Sequence, residues 1–277
     1  MRSVSDLQKI GEGQEAEVFL IGNNKVVKLF KNESFTSKSR KEFELLSLLN
    51  TYKVTAPKTY EQISIDNKPG YIMDYIPGYS LLYNIQKNPL QCRKIAKQFA
   101  TIQVDVNSIK ASDKFDTEIQ SIKWCIEHTD LSNEYIQYGL DVLGSLKQGD
   151  DLCHGDYNLA NVLINVNTGP VLIDWGGAAK GYYVSDIANA TLMIMNGGLP
   201  PNTNTLTKIL IVFLRRIFEL HYIKQYKRLR MFSNKELHDW QVVRAIARMN
   251  YCINDEKKYL FKFIIKCYKN PRKNYLF

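Results

Sequence analysis

Two short polar segments carry the residue types that phosphoryl transfer needs. The first is His154–Asn161, which reads HGDYNLAN, and the second begins at Asp174, thirteen positions after Asn161. Asp156 offers a carboxylate that can align an attacking hydroxyl and accept its proton. Asn161 and Asp174 offer oxygen atoms of the kind that hold magnesium ions against nucleotide phosphates. These three residues would supply the functions that transfer of a phosphoryl group to a hydroxyl requires.

The strands around these segments would bring the two metal ligands together. The apolar runs Val162–Asn165 and Val171–Ile173 are separated by Val166–Pro170, which has the composition of a hairpin turn. Asn161 precedes the first run and Asp174 follows the second. Because the open end of a hairpin holds the start of one strand and the end of the other, we expect both side chains there.

The amino-terminal third offers a second group of candidate residues. Gly11 and Gly13 lie in the segment GEGQEAEV, where small residues would let backbone amides approach phosphate oxygens closely. An ordinary turn before a strand has the same composition. Lys28 lies in the apolar run VVKL, and a lysine buried there needs an acidic partner. The predicted helix that follows offers two, Glu42 and Glu44.

The hydrophobic pattern changes along the chain from strand-like to helical. Residues 1–76 predict a five-stranded sheet with one long helix, and the break at Ile76–Gly78 marks the domain boundary. Residues 77–277 predict a mainly helical domain that contains the hairpin. Helices are expected near 90–106, 115–128 and 133–147. A further helix is predicted by an apolar stripe of Leu206, Leu210, Phe213, Ile217 and Leu220, and another should begin at a capping box formed by Ser233 and Glu236.

Composition limits the compartment and the partners. The five cysteines are odd in number and include no Cys-x-x-Cys pair, which argues against a disulfide framework and a zinc site. The longest apolar run, Ile209–Leu214, is far shorter than the ~20 residues of a membrane span, and the polar start does not resemble a secretory signal. We therefore expect a cytoplasmic protein with no membrane partner. Residues 175–277 hold 18 basic and 6 acidic side chains, which suits an anionic partner or a solvated helical surface.

Together, these motifs resemble those of the protein-kinase superfold. In that superfold the catalytic loop reads His-x-Asp with an asparagine five residues later, as Asp156 and Asn161 are placed, and a metal-binding aspartate follows the next strand. Gly155 in the place of arginine, and Asp-Trp at Asp174 in the place of Asp-Phe-Gly, are similar to the aminoglycoside phosphotransferase and choline kinase family. The resemblance covers residues 7–188 and is compatible with the helices beyond.

The resemblance implies a fold and an activity. The fold is α+β and bilobal, with a five-stranded antiparallel sheet and one helix in the first lobe and a mainly α-helical second lobe. The activity is transfer of the γ-phosphate of ATP or GTP to a hydroxyl of a small molecule. Asp156 is the implied catalytic residue, and Asn161 and Asp174 are the implied ligands of Mg²⁺.

The resemblance also implies a nucleotide site in the first lobe. Lys28 takes the position of the phosphate-binding lysine. The order Lys41–Phe43 followed by leucines matches the family's helix, which favours Glu42 over Glu44 as its partner. The residues expected to bind the nucleotide are Gly11, Gly13, Lys28, Glu42, Asp74 and Tyr75. The last two lie where the family has its hinge strand, and a plain edge strand fits the same residues.

Two more residues are expected to support the loops without reacting. Asp186 opens the family's Asp-Ile-Ala helix, where it would cap free helix amides and brace the catalytic loop. His154 is expected to anchor the metal loop, because Asp156 already fills the role of base.

Three interpretations of the activity remain. Only eleven residues separate Asp174 from Asp186 and no Ala-Pro-Glu signature occurs, so there is little room for a peptide platform and a small-molecule substrate is preferred. An atypical protein kinase and a non-catalytic nucleotide-binding or interaction module are the alternatives. No recognised aromatic RNA-binding motif occurs, so we expect no nucleic-acid partner. The sequence indicates neither the acceptor nor the oligomeric state, although the basic second half argues mildly against a polycationic acceptor.

Overall fold

The chain folds as two compact units. The computed structural model describes residues 3–198, 203–252 and 254–270, and the side chains of 254 and 255 lie outside the description. One unit lies within Met1–Leu81 and Ala160–Gly176, and the other within Leu82–Leu159 and Gly177–Phe277. The domain boundary predicted between residues 76 and 77 stays a prediction.

Strands dominate the first third of the chain and helices the rest, as the sequence predicted. In chain order the elements are β1 (Gln8–Glu12), β2 (Ala16–Gly22), β3 (Lys25–Phe30), α1 (Thr36–Leu49), β4 (Thr59–Ile65), β5 (Lys68–Asp74), β6 (Tyr79–Ser80), α2 (Leu81–Lys87), α3 (Cys92–Asn107), α4 (Glu118–Glu127), α5 (Asn133–Ser145), β7 (Asp151–Cys153), β8 (Val162–Asn165), β9 (Gly169–Leu172), β10 (Ala179–Gly181), α6 (Tyr183–Asn196), α7 (Thr205–Leu229), α8 (Asn234–Arg248) and α9 (Asn254–Lys269).

The first unit is built on the predicted five-stranded antiparallel sheet, in the order β1-β2-β3-β5-β4. Its two tight hairpins turn at residue pairs with positive φ, Asn23 and Asn24 between β2 and β3, and Asp66 and Asn67 between β4 and β5. Asparagine and aspartate tolerate this conformation and its twist matches that of the strands, so these pairs fix the register. The core residues on this sheet are Phe19, Val27, Leu29 and Ile72.

A second, smaller sheet in the first unit holds the predicted catalytic hairpin. It has the order β6-β8-β9, and Val162 pairs with Leu172. Gly78 precedes β6 with a φ of +150°, and a Cβ atom there would lie 2.3 Å from the carbonyl oxygen of Ile164. Only glycine permits this close approach of the two backbones.

The second unit is helical around an aromatic core, and its predicted helices correspond to α3, α4 and α5. The predicted capping box is present, with Ser233 and Glu236 at the start of α8. The predicted stripe on α7 lies on the exposed side of that helix, where Leu206 is 81% exposed and Phe213 60%. The residues that α7 buries are instead Phe218, Tyr222 and Tyr226. The buried face of α7 is formed by these aromatic side chains, so the aliphatic stripe predicted from the sequence did not identify it.

All five cysteines are free thiols. Among the residues that the structure describes, none of the helices has the length and apolar character needed to cross a membrane.

Two glycines of α5 give a matched test of the packing in the second unit. A Cβ atom at Gly139 would lie 2.9 Å from Cδ1 of Ile246 on α8, whereas a Cβ atom at Gly144 would meet no heavy atom within 4 Å. We expect Gly144→Ala to raise the free energy of unfolding by about 0.5–1 kcal/mol, because alanine restricts the unfolded chain. Gly139→Ala should lower it by ~1 kcal/mol through overpacking. Denaturant unfolding of both variants checks this, and equal shifts would contradict the described α5–α8 contact.

Candidate active site

Three side chains distant in sequence form an ionic cluster in the first unit. The ammonium of Lys28, on β3, donates to Oε1 of Glu42 at 2.5 Å and to Oδ1 of Asp174 at 3.0 Å. Glu42 lies on α1, and Asp174 follows β9. The side chains of Lys28 and Glu42 are 14% and 5% exposed, so this charge pair is largely removed from water. The structure therefore joins three of the predicted site residues.

Electrostatics keep this lysine charged. Burial alone would lower the pKa of Lys28, but the charges of Glu42 and Asp174 and their hydrogen bonds outweigh it, so the pKa is raised. The hydroxyl of Tyr71 donates to the same Glu42 oxygen at 2.9 Å. Burial, and then the Glu42 charge, raises the pKa of Tyr71 well above its ordinary value, so it remains a donor. Glu42, and not the exposed Glu44, is the partner of Lys28.

The backbone at Asp174 is shaped to present its carboxylate. Its φ is +61°, a left-handed value that aspartate tolerates better than most residues. The following residue, Trp175, is fully buried and its indole N–H donates to the carbonyl of Leu172 at 2.9 Å. The Asp174 side chain itself is 50% exposed. The buried tryptophan therefore anchors a loop whose aspartate remains open to a ligand.

Asn161 reaches the same end of the hairpin. The backbone N–H of Ile173 donates to the carbonyl of Asn161 at 3.0 Å, just before the first β8–β9 pair. The ends that carry Asn161 and Asp174 are therefore adjacent in the first unit. Within the described ranges no three or more histidine, cysteine or acidic side chains group as a metal site. An amide and a carboxylate oxygen are, however, the donor types that Mg²⁺ takes beside phosphate oxygens and water, so this donor set fits the ion.

The predicted glycine loop is the turn of the β1–β2 hairpin. The backbone N–H of Gly13 donates to the carbonyl of Ala16 at 2.8 Å, and Gly11 pairs with Val18. Neither glycine has a left-handed φ, and a Cβ atom at either would make only ordinary contacts, at 3.5 Å or more. The fold itself therefore does not require glycine at these positions, and a contact of either glycine with a nucleotide stays a prediction.

The predicted hinge residues lie at the end of β5. The Asp74 carboxylate accepts from the backbone N–H of Lys58 at 3.0 Å and from the hydroxyl of Tyr60 at 2.7 Å, so it ties β5 to the start of β4. The backbone N–H of Tyr75 donates to the carbonyl of Asn24, and its side chain is partly exposed. A contact of Asp74 or Tyr75 with a nucleotide base stays a prediction.

The loop that carries Asp156 belongs to the second unit and turns at Gly155. Gly155 has a φ of +79°, and a Cβ atom there would lie 2.0 Å from the carbonyl oxygen of Gly177. The backbone N–H of Asp156 donates to Nδ1 of His154 at 3.3 Å. The Asn158 amide donates to an Asp156 carboxylate oxygen at 3.3 Å. These contacts hold the predicted catalytic carboxylate at a tight turn.

Asp186 braces this loop but does not cap its helix. The fully buried carboxylate accepts from the backbone N–H groups of His154 at 3.2 Å and Gly155 at 3.0 Å. The predicted capping role is wrong, because α6 begins at Tyr183 and Asp186 lies within its first turn. The amide of Tyr183 donates instead to Asp151, which the sequence did not suggest.

Sequence reasoning missed the amide side chains that complete the brace. Gln103 and Asn107, on α3, donate to Asp186 at 3.1 and 3.2 Å. Asn189, on α6, donates to the carbonyl of Gly155 at 2.7 Å. A signal was present, since Gln103 and Asn107 are four positions apart on an otherwise apolar helix face and Asn189 is one turn beyond Asp186.

Comparisons with known proteins identify the family of the chain and its fold. The profile of the phosphotransferase enzyme family (APH) matches residues 6–207. A search of curated proteins found no match. Similar solved structures include aminoglycoside-3'-phosphotransferase of type VIII, with 13% identity and a TM-score of 0.64, covering 88% of this chain and 94% of the other.

Two further structures are similar across nearly the whole chain. Choline kinase LicA from Streptococcus pneumoniae has 16% identity and a TM-score of 0.61, covering 95% of this chain and 93% of the other. The streptomycin–ATP–APH(2'')-IIa ternary complex has 18% identity and a TM-score of 0.54, covering 94% and 90%.

These likenesses confirm the predicted protein-kinase-like fold class. The family match covers well over half of the sequence and gives the class of reaction. The chain therefore belongs to the phosphotransferase enzyme family.

Proposed function

We propose that Lys28, Glu42, Asn161 and Asp174 bind the nucleotide triphosphate with its metal ion, and that Asp156 activates the acceptor hydroxyl. The observation that carries the proposal is the ammonium of Lys28 held between two carboxylates from residues 14 and 146 positions away. Such an ammonium is fixed in place and charged, which suits it to phosphate oxygens.

The two carboxylates of the cluster would have different tasks. Glu42 is buried and also accepts from Tyr71, so it would stay in place and orient the lysine throughout the reaction. Asp174 is half exposed, so it can exchange its contact with Lys28 for one with a metal ion without leaving a buried charge unpaired.

Asn161 and Asp174 would hold Mg²⁺, which when bound would neutralise the negative charge of the nucleotide phosphates. The donor would be ATP or GTP. The ATP in the similar ternary complex supports a nucleoside triphosphate. The amides of the Gly11–Gly13 turn would cover its phosphates, and Asp74 and Tyr75 would lie near its base.

Asp156 would align the acceptor and take the proton of its hydroxyl as the oxygen bonds to the γ-phosphorus. The bond from that phosphorus to the β–γ bridging oxygen breaks, and the nucleoside diphosphate leaves. The Asn158 amide donates to one of the Asp156 carboxylate oxygens at 3.3 Å and so helps to orient the carboxylate. The acceptor would be a small hydroxyl compound, since the similar enzymes include an aminoglycoside phosphotransferase and a choline kinase. We place the reaction in the cytoplasm, in line with the composition of the chain.

A panel assay tests the proposal directly. We would measure phosphate transfer from ATP or GTP, with magnesium, to aminoglycosides, choline, homoserine and sugars, and follow nucleotide binding by calorimetry in the same samples. Transfer to one acceptor supports the proposal and identifies the substrate. Absence of nucleotide binding would overturn it.

Asp156→Asn should lower kcat by ~100-fold or more, because the variant keeps the shape of the side chain but cannot accept the proton. The dissociation constant of the nucleotide should change less than about twofold, since the proposed nucleotide ligands are intact. Steady-state kinetics and calorimetry check both values. Near-normal turnover would show that Asp156 is not the base.

Asp174→Ala should abolish the strengthening of nucleotide binding by magnesium, because it removes one of the two proposed ligands. The experiment is a calorimetric titration of ADP with and without Mg²⁺ for wild type and variant. An unchanged magnesium effect would place the metal elsewhere.

Glu42→Gln should lower kcat/KM for the nucleotide by about tenfold or more, because breaking a buried ion pair costs more than the ~1.4 kcal/mol that a factor of ten represents. Glu44→Gln is the matched control, since Glu44 lies two positions away on the same helix and is exposed. Equal effects of the two variants would show that the Lys28–Glu42 ion pair does not contribute to use of the nucleotide.

A further inference from the structure

Two buried arginines lie four positions apart on α8, and each pairs with a buried glutamate. Arg244 pairs with Glu118 of α4. Arg248 donates through Nε and Nη2 to Oε1 of Glu256, on α9, at 2.8 and 2.7 Å. The two arginines are 6% and 8% exposed. Arg244 and Arg248 therefore have the same charge and nearly the same burial.

Their remaining hydrogen bonds differ. Nε of Arg244 donates to the hydroxyl of Ser185 at 2.9 Å. Nη1 of Arg248 donates to the amide oxygen of Asn189 at 3.2 Å, and the amide nitrogen of Asn189 donates to the carbonyl of Gly155 at 2.7 Å. Arg248 is therefore linked through one side chain to the residue that precedes Asp156.

The charge of Arg248 determines which end of the Asn189 amide faces the loop. A guanidinium only donates, and a backbone carbonyl only accepts. If the amide turned over, its NH₂ group would face Arg248 and its oxygen would face the Gly155 carbonyl, so both hydrogen bonds would become repulsive contacts. Asn189 is 1% exposed, so water cannot replace the lost partners.

The bond from Asn189 acts on the peptide group that joins Gly155 to Asp156. Its carbonyl oxygen accepts from Asn189, and its N–H, which belongs to Asp156, donates to Nδ1 of His154. A peptide group is planar, so partners on both edges fix its orientation. That orientation sets the direction in which the Asp156 side chain leaves the backbone.

We propose that Arg248 and Asn189 are positioning residues for Asp156, with Glu256 holding Arg248 in place. The proposal rests on the assigned role of Asp156. It gives the α8–α9 region a part in the reaction, because the chain Glu256–Arg248–Asn189 ends on the peptide group of the catalytic loop.

Four variants test this inference. Asn189→Asp keeps the oxygen that accepts from Arg248 but loses the donor to Gly155. Arg248→Lys can keep the ion pair with Glu256, but a single ammonium cannot also span to Asn189. Arg248→Met loses both contacts, and Arg244→Met removes an equally buried arginine whose bonds go to Ser185 and Glu118.

The kinetic readout is phosphate transfer to the acceptor found in the panel, or ATP hydrolysis by water if none is found. We expect kcat to fall about 10- to 100-fold in Asn189→Asp, Arg248→Lys and Arg248→Met, because small displacements of a reacting group cost that much. The KM for ATP should stay within about twofold of wild type. Arg244→Met should lower the melting temperature as much as Arg248→Met does, with kcat near that of wild type.

Amide hydrogen exchange of residues 154–159, measured without nucleotide or acceptor, is a second readout that does not depend on activity. Exchange should accelerate in the Asn189 and Arg248 variants and remain near wild type in Arg244→Met. If exchange accelerates in the Asn189 and Arg248 variants while Asp156→Asn keeps its turnover, the proposed role of Asp156 is wrong. The contact of Arg248 and Asn189 with the loop is then still supported. If kcat and exchange change no more in Asn189→Asp and Arg248→Lys than in Arg244→Met, Arg248 and Asn189 are ordinary buried residues and the proposal is overturned.

Discussion

A fully buried carboxylate has to be surrounded by hydrogen-bond donors, and in this protein that requirement shapes the loop that precedes Asp156. Asp186 collects two of its donors from the backbone of His154 and Gly155 and two from Gln103 and Asn107. Backbone amides can reach a carboxylate in this way only if the chain turns sharply around it, and Gly155 supplies the turn with a positive φ. The conformation before Asp156 is therefore a consequence of satisfying one buried charge.

The same requirement continues outwards through the second unit. Tyr222 and Tyr226, on α7, donate to the amide oxygens of Gln103 and Asn107, which fixes both amides with their nitrogen atoms towards Asp186. This explains why α7 buries tyrosines and leaves its aliphatic stripe exposed. A buried amide needs partners at both of its ends, and a leucine would leave the oxygen unsatisfied.

In the first unit, buried charges are satisfied by ion pairs. The ammonium of Lys28 is held by Glu42 and Asp174, and Glu42 has a further donor in Tyr71. One carboxylate is buried and the other half exposed. The buried charges of the cluster are therefore paired, and one of its carboxylates remains accessible to a ligand, which suits the nucleotide site that we propose.

The sequence alone predicted the five-stranded sheet from local patterns and the fold class from its resemblance to a known family. It also proposed Lys28, Asp156, Asn161 and Asp174 as site residues from their types and spacings. Chemistry alone left Glu42 and Glu44 open, since both are acids on one helix. The resemblance favoured Glu42, and the tertiary structure showed that Glu42 is the buried partner of Lys28. The sequence could not give the partners of Asp186 and Asn189, which lie between 31 and 83 positions away. Contacts of that kind depend on how helices pack. The tertiary structure therefore decided which polar side chains are buried together, because a buried group is satisfied by whatever the fold brings within hydrogen-bond distance.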